Sequence, residues 1–332
     1  MTVIDWLLDS DPAIRWQVKR DLMDASADEI ADERAIVATT GWGTELLDLQ
    51  DADGHWDGGT YRPGWASEDL PFFDAWTATH FTLNSLRELG IDPSDERMRL
   101  AVDRVNENVH WMTDDGATPY FSGETESCIN GLVLANAAYF GQDCAPVAEQ
   151  LLALQLPDGG WNCFPDPAAP VSSFHSTICA LEGLLAWQQA DGPADRISHA
   201  RHAAEEYLLE RNLFRRKRDG AVIDPRFTMT SFPGYWFYDI LRALDYFRAA
   251  TQVDGSGADP RCADAVSIIE AKRNADGRSP HENTHEGARL IRLEGAEGEP
   301  SRWSTLRAMR VLKWWAGGHQ WMDVAAPREI NQ

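Results

Sequence analysis

Positive charge is scarce in this chain. Its 332 residues hold 30 Lys and Arg against 53 Asp and Glu, a formal charge of −23. That balance excludes a nucleic-acid partner held on an unaided surface, because a phosphate backbone is repelled by it. It leaves room for a cavity of opposite sign inside an acidic shell. Cysteine is sparse too: five thiols, an odd number and widely scattered. This excludes a disulfide scaffold and reads as reduced thiols in a cytoplasmic protein. No apolar run approaches the roughly 20 residues that span a bilayer. The start, Met1-Thr-Val-Ile-Asp-Trp, has an early acid and no basic segment, so no signal peptide is expected. Period-two alternation bracketed by hairpin turns is nearly absent, which argues against sheets. There is no Walker loop, no Gly-x-Gly-x-x-Gly, no His-Glu-x-x-His and no Gly-x-Ser-x-Gly, so nucleotide-binding and serine-hydrolase readings find no support.

What is present is a repeat. Asp-Gly recurs at Asp53-Gly54, Asp115-Gly116, Asp158-Gly159, Asp219-Gly220 and Asp276-Gly277. Two copies are fuller: Gln50-x-x-Asp53-Gly54-His55-Trp56 and Gln155-x-x-Asp158-Gly159-Gly160-Trp161. Asp-Gly supplies a turn after a helix, Gly being free to adopt positive φ, and the Trp then packs back over the helix end. Each copy follows a helix-like, more polar stretch (31–49, 95–111, 145–156, 197–209 and 262–272) and precedes a more apolar one (75–89, 128–140, 175–187, 235–247 and 303–315). With 12–23 this makes six apolar helices alternating with five polar ones. Helices apolar on nearly all sides are buried and amphipathic ones cover them. The pattern predicts an all-α fold, an (α/α)6 barrel forming one domain over residues 1–332.

The motif Gln155-x-x-Asp158-Gly159-Gly160-Trp161 resembles the QW repeat of squalene–hopene cyclases and of protein prenyltransferase β subunits. The resemblance implies an α/α toroid and an enzyme acting on an isoprenoid or similar apolar substrate in a central cavity. The chain departs from both families in their reactive motifs. It has no Asp-x-Asp-Asp acid and no Asp-x-Cys zinc pair. A metal-dependent hydrolase or lyase, and a non-catalytic binding protein, therefore remain open alternatives on the same barrel.

Aligning the apolar helices places His80, Cys128, His175, Phe237 and Trp303 in one column, and Thr82, Asn130, Thr177, Asp239 and Thr305 in another. All lie early in their helices, at the mouth where the Asp-Gly loops gather. His80, Cys128 and His175, with Cys163 from a nearby loop, form a candidate zinc set. Candidate general acids at the mouth are Asp239, Asp74 and Glu126, each a carboxyl whose pKa burial can raise. Trp76, Tyr235, Trp236, Tyr238 and Trp303 are candidate substrate-binding aromatics, whose faces can stabilise a cation. Arg302, with Arg62, Arg226 and Arg289, is a candidate clamp for a diphosphate or carboxylate. The expected partner is a small apolar or anionic substrate.

Overall fold

A computed structural model describes residues 1–66, 75–113, 116–168, 170–190 and 192–317. Among these the fold is all-α. Thirteen α-helices carry the chain: α1 (Val3–Leu8), α2 (Pro12–Leu22), α3 (Ala27–Ala35), α4 (Trp42–Asp48), α5 (Thr79–Leu89), α6 (Glu96–Asn108), α7 (Ser127–Tyr139), α8 (Ala145–Ala153), α9 (Phe174–Gln189), α10 (Ala194–Leu209), α11 (Ile240–Asp254), α12 (Ala263–Ala271) and α13 (Arg302–Trp315). A single antiparallel hairpin joins β1 (His110–Thr113) to β2 (Gly116–Pro119). No helix among the described residues is long and apolar enough to cross a membrane.

Six helices match the apolar stretches and pack in succession. α13 lies between α2 and α11, α11 packs on α9, α9 on α7, and α7 on α5. Trp16 Nε1 and Gln17 Nε2 of α2 donate to the carbonyls of Leu89 and Glu88 at the end of α5. The polar helices lie against them: α3 on α2, α4 on α5, α8 on α7, α10 on α9, and α12 on α11 and α13. The tightest approach is between α7 and α9, both apolar on nearly every face. A Cβ on Gly131 would lie 2.4 Å from the Cys179 backbone, and one on Gly183 2.3 Å from the Gly131 carbonyl. Only glycine lets the two backbones meet.

Two expected helices differ. Residues 31–49 break into α3, a short 3-10 turn and α4, because Gly41 adopts φ 73° and Asp11 reaches across to hold the Trp42 N–H. The helix expected over 235–247 starts only at Ile240. Tyr235 has φ 46°, and Asp239 caps the helix by accepting from the Arg242 N–H at 2.8 Å. Aromatic content made residues 235–239 resemble the wall helices, whereas the backbone there is a strap crossing between them.

The two full motif copies have one hydrogen-bond scheme. Gln50 Nε2 donates to the Gly54 carbonyl and to Ala101 of α6; Gln155 Nε2 donates to Gly159 and to Ala200 of α10. The indole N–H of Trp56 reaches the Leu46 carbonyl, and that of Trp161 the Leu151 carbonyl. The backbone N–H of Trp56 donates to the Thr79 hydroxyl, and that of Trp161 to Thr177. A third, degenerate copy follows the same path. Arg273 Nε bonds the Gly277 carbonyl, and Ser279 N–H donates to the Thr305 hydroxyl. In each copy the Asp-Gly turn is thus pinned to the first turns of the following apolar helix. Thr177→Val leaves the buried Trp161 N–H without its acceptor and is expected to cost about 1–3 kcal/mol. Thr82→Val, whose hydroxyl donates only within its own helix end, is expected to cost about 1 kcal/mol or less. Urea unfolding of both variants checks this; equal losses would refute the pinning.

Candidate functional site

At the N-terminal ends of the inner helices the structure brings together three of the predicted residues. Cys128 and Cys163 are in contact, Sγ to Sγ 2.9 Å, and Glu126 Oε2 lies 3.8 Å from Cys128 Sγ. Cys163 also accepts from the Cys128 backbone N–H at 3.3 Å, with the Ser176 and Ser127 hydroxyls at 3.3 and 3.7 Å. These contacts, the Cys128 thiol first, outweigh burial and pull the Cys163 pKa down to about 6. Cys128 is driven far above the usual thiol range, first by its bond to Cys163 and then by burial. Glu126 is pushed up to about 7, chiefly by burial, then by the Cys163 and Glu124 charges.

The ligand atoms of Glu126, Cys128 and Cys163 lie within 4.8 Å of one another. They do not fit zinc in this arrangement. Two sulfurs bound tetrahedrally at about 2.3 Å sit roughly 3.8 Å apart, well beyond the 2.9 Å seen. The two histidines of the expected set stand elsewhere. His175 Nδ1 accepts from the Tyr238 backbone N–H at 2.8 Å, its ring packed among Phe227, Trp236 and Phe237. His80 Nδ1 is 3.1 Å from the Tyr120 hydroxyl. That hydroxyl accepts from Asn136 Nδ2, and Asn136 Oδ1 accepts from Arg87 Nε. The Tyr120 proton therefore points to Nδ1, placing the imidazole hydrogen on Nε2. Helix spacing explains the separation: neighbouring axes stand about 8–10 Å apart, and His80 leans toward Tyr120 rather than the axis.

The other predicted residues divide. Asp239 is buried but serves as the α11 cap, so it is equivalent to Glu126, Ser173 and Ser301 and not to Thr82 or Thr177. Its pKa is raised by burial, against the nearby Arg307 charge. Asp74 lies outside the described residues. Trp76 stacks on Tyr235 at 4.3 Å, and Trp236 on Phe237 at 3.8 Å, with His285 3.9 Å beyond Phe237. Tyr238 turns outward, its hydroxyl donating to the Leu213 carbonyl among Phe174 and Phe227. Arg302 binds the carbonyls of Trp6 and Asp9 and anchors α1. Arg226 pairs with Asp224, and Arg289 bonds the His285 carbonyl. Trp303 is buried against Phe232 at 4.0 Å.

A further cavity was not among the expected sites. A cavity of about 830 Å³ lies among α2, α3, α5, α7, α9, α11 and α13. Seven arginines line it (Arg20, Arg34, Arg87, Arg242, Arg248, Arg307 and Arg310) against Glu88, Glu182 and Asp245, with Asp21 behind. Arg242 binds Glu182 through two contacts of 2.7 and 2.6 Å. Arg310 bonds both oxygens of Asp245 and also reaches Gln17 and Asp21. Arg248 and Arg307 share the same Asp245, whose carboxyl lies far below the usual range because these arginines outweigh its burial. Two groups stand apart. Arg87 Nη2 is buried without a partner. The Glu88 pKa is raised by burial despite Arg87, Arg242 and Arg307, and no hydrogen bond reaches its carboxylate among the described residues. Between the pairs stand apolar faces: Ile30, Ala135, Leu185, Ala249, Trp16 and Trp303. Phe232 and Gly234 of the strap close this chamber on one side. Phe232, Pro233 and Tyr235 face a second cavity of about 490 Å³, bounded by residues 289–297. A signal for the chamber was present in the chain: Arg242, Asp245 and Arg248, or Arg307 and Arg310, repeat every third residue inside apolar helices.

No family model matches the chain, and no curated protein matches it. Among solved structures, a crystal structure of a protein from Actinoplanes is similar over 92% of this chain and 90% of that one, at 18% identity and a TM-score of 0.43.

Burial holds the His80 imidazole neutral, with a pKa of about 3, and the Arg87 charge acts in the same direction. An unfolded histidine titrates near 6.5. The stability gained by keeping it neutral is complete above that pH and is lost as pH falls from about 6.5 toward 3, about 2 kcal/mol of it by pH 5. His80→Asn, whose Oδ1 takes the place of Nδ1, removes this dependence. The stability difference between the parent and the variant is expected to shrink by that amount between pH 7 and pH 5, measured by urea unfolding. A constant difference would show that His80 is protonated inside the fold.

Proposed function

We propose that the six apolar helices form the inner wall of an α/α toroid, and that the chain is an enzyme for a small amphiphilic anion, a prenyl diphosphate being the class that suits both ends of the chamber. The observation that carries this reading is the concentration of seven arginines around one cavity in a chain of charge −23. Inside a low-dielectric wall such an excess is attractive to phosphate or carboxylate, and guanidinium groups meet those oxygens in pairs. The volume, about 830 Å³, lies in the range of pockets that enclose a ligand of drug size. The apolar faces between the arginines suit a hydrocarbon tail. This differs from an all-apolar, aromatic-walled interior, since the charges belong to the wall itself.

In this reading Arg87 takes the anionic head, because its Nη2 alone among these groups is buried and free. Glu88 moves a proton to or from the substrate. It carries no partner that fixes its charge, and burial keeps its pKa raised. The paired arginines, Arg242 with Glu182 and Arg310 with Asp245, hold the wall in shape. This reading gives zinc no step, since His80 and His175 of the expected set stand apart from Cys128 and Cys163.

Calorimetric titration with inorganic pyrophosphate, farnesyl diphosphate and farnesol tests the assignment. The diphosphates are expected to bind and farnesol to bind far more weakly. Arg87→Met is expected to weaken diphosphate binding by about tenfold to a hundredfold. Glu88→Gln is expected to preserve binding and to abolish turnover of the bound compound. Equal binding of farnesol and its diphosphate, or no effect of Arg87→Met, would overturn the reading.

A further inference from the structure

We propose that Cys163 and Cys128 form a peroxide-reactive thiol pair that closes to a disulfide at the mouth of the helix assembly, a site separate from the arginine chamber. Their sulfurs already stand 2.9 Å apart. A disulfide bond is about 2.04 Å long, so closure asks for less than an ångström of approach. Cys163 is half-buried and lies next to the exposed Phe164, which leaves its sulfur within reach of a small oxidant. Cys128 is buried behind it.

The surroundings suit a negatively charged Cys163 sulfur. It faces the N-terminal turn of α7, a helix of 13 residues, and accepts from the Cys128 N–H there. The Ser127 and Ser176 hydroxyls, each able to donate, and the Cys128 sulfur surround it at 3.7, 3.3 and 2.9 Å. Hydrogen bonds to the charged form and a helix N-terminus both favour thiolate. Among the remaining cysteines Cys179 also meets a donor, Arg242 Nη2 at 3.6 Å, but it is fully buried. Cys144 and Cys179 point at the carbonyls of Gln142 and Trp236, and burial pushes the thiols of Cys144, Cys179 and Cys262 up to about 11, 12 and 12.

The chemistry balances with a hydroperoxide as oxidant. The Cys163 thiolate attacks one peroxide oxygen; the S–O bond forms, the O–O bond breaks, and the departing alkoxide takes a proton to become an alcohol. Cys163 is oxidised by two electrons to the sulfenic acid and the peroxide is reduced. The Cys128 sulfur then attacks the Cys163 sulfur. The S–S bond forms, the S–O bond breaks, and the hydroxide leaves as water. Glu126, whose Oε2 lies 3.8 Å from Cys128 Sγ, takes the Cys128 thiol proton and passes it to that hydroxide. Its raised pKa suits a group that must accept and return a proton near neutral pH.

Hydrogen peroxide applied to the reduced full-length chain tests the site, with alkylation of remaining thiols and peptide mass mapping. The parent is expected to show a Cys128–Cys163 link, with Cys144, Cys179 and Cys262 still alkylated. Cys128→Ser is expected to lose the link and accumulate a dimedone adduct on Cys163; Cys163→Ser is expected to lose both. Cys163→Ala and circular dichroism of each variant separate chemistry from misfolding. A second measurement needs no variant: the rate of Cys163 alkylation against pH is expected to rise with a midpoint well below that of the other thiols. Oxidation appearing first at another cysteine, or a link that forms no faster than in urea-unfolded chain, would overturn the proposal. So would stoichiometric zinc that blocks alkylation of Cys163 until a chelator removes it.

Discussion

The architecture depends on one recurring junction, the backbone N–H at the end of an Asp-Gly turn bonded to a threonine hydroxyl at the head of the next apolar helix. Trp56 with Thr79, Trp161 with Thr177 and Ser279 with Thr305 repeat it. In the two full copies the indole ties the same turn back to the preceding polar helix, and the glutamine ties it sideways to the next polar helix. One turn therefore sets the relation of three helices. The glycine in it is obligatory: Gly54 and Gly159 take φ 92° and 97°, and a side chain there would strike the Arg104 or Ala203 carbonyl.

The helical layout was legible for a physical reason. Asp-Gly turns are local, and the contrast between apolar and mixed helices reports burial directly. The degenerate third copy was legible only as Asp276-Gly277; its bonding, with Arg273 for glutamine and Ser279 for tryptophan, was not, because its backbone path survives without the side chains that mark it. Asp239 was misplaced for a related reason. The aromatic residues Tyr235–Tyr238 look like a wall helix by composition, yet positive φ at Tyr235 keeps them out of one. The pairing of Cys128 with Cys163 was half legible, since both were placed at the mouth. Their histidine partners were not, because which way His80 and His175 lean depends on Tyr120 and on the Tyr238 N–H.

The chamber shows how charge is accommodated in an otherwise apolar wall. Isolated ions there would be very costly to bury. They are instead tied into shared pairs, with Asp245 serving Arg248, Arg307 and Arg310, and Glu182 serving Arg242. Such pairs are weak evidence for stability; their effect is to fix shape and field. An acidic chain can therefore present a cationic interior without a cationic surface.

The strap through Phe232, Gly234 and Tyr235 carries one more consequence. It stands between the chamber and the second cavity, while residues such as Gly90, Tyr139 and Gln189, at the finishing ends of their helices, border the chamber. Carbonyls at such ends repel anions, but those of Glu88, Leu89 and Gly90 are taken up by Gln17, Trp16 and Arg34. Arg20 and Arg34 stand on the same rim, so cationic side chains face the finishing ends of these helices.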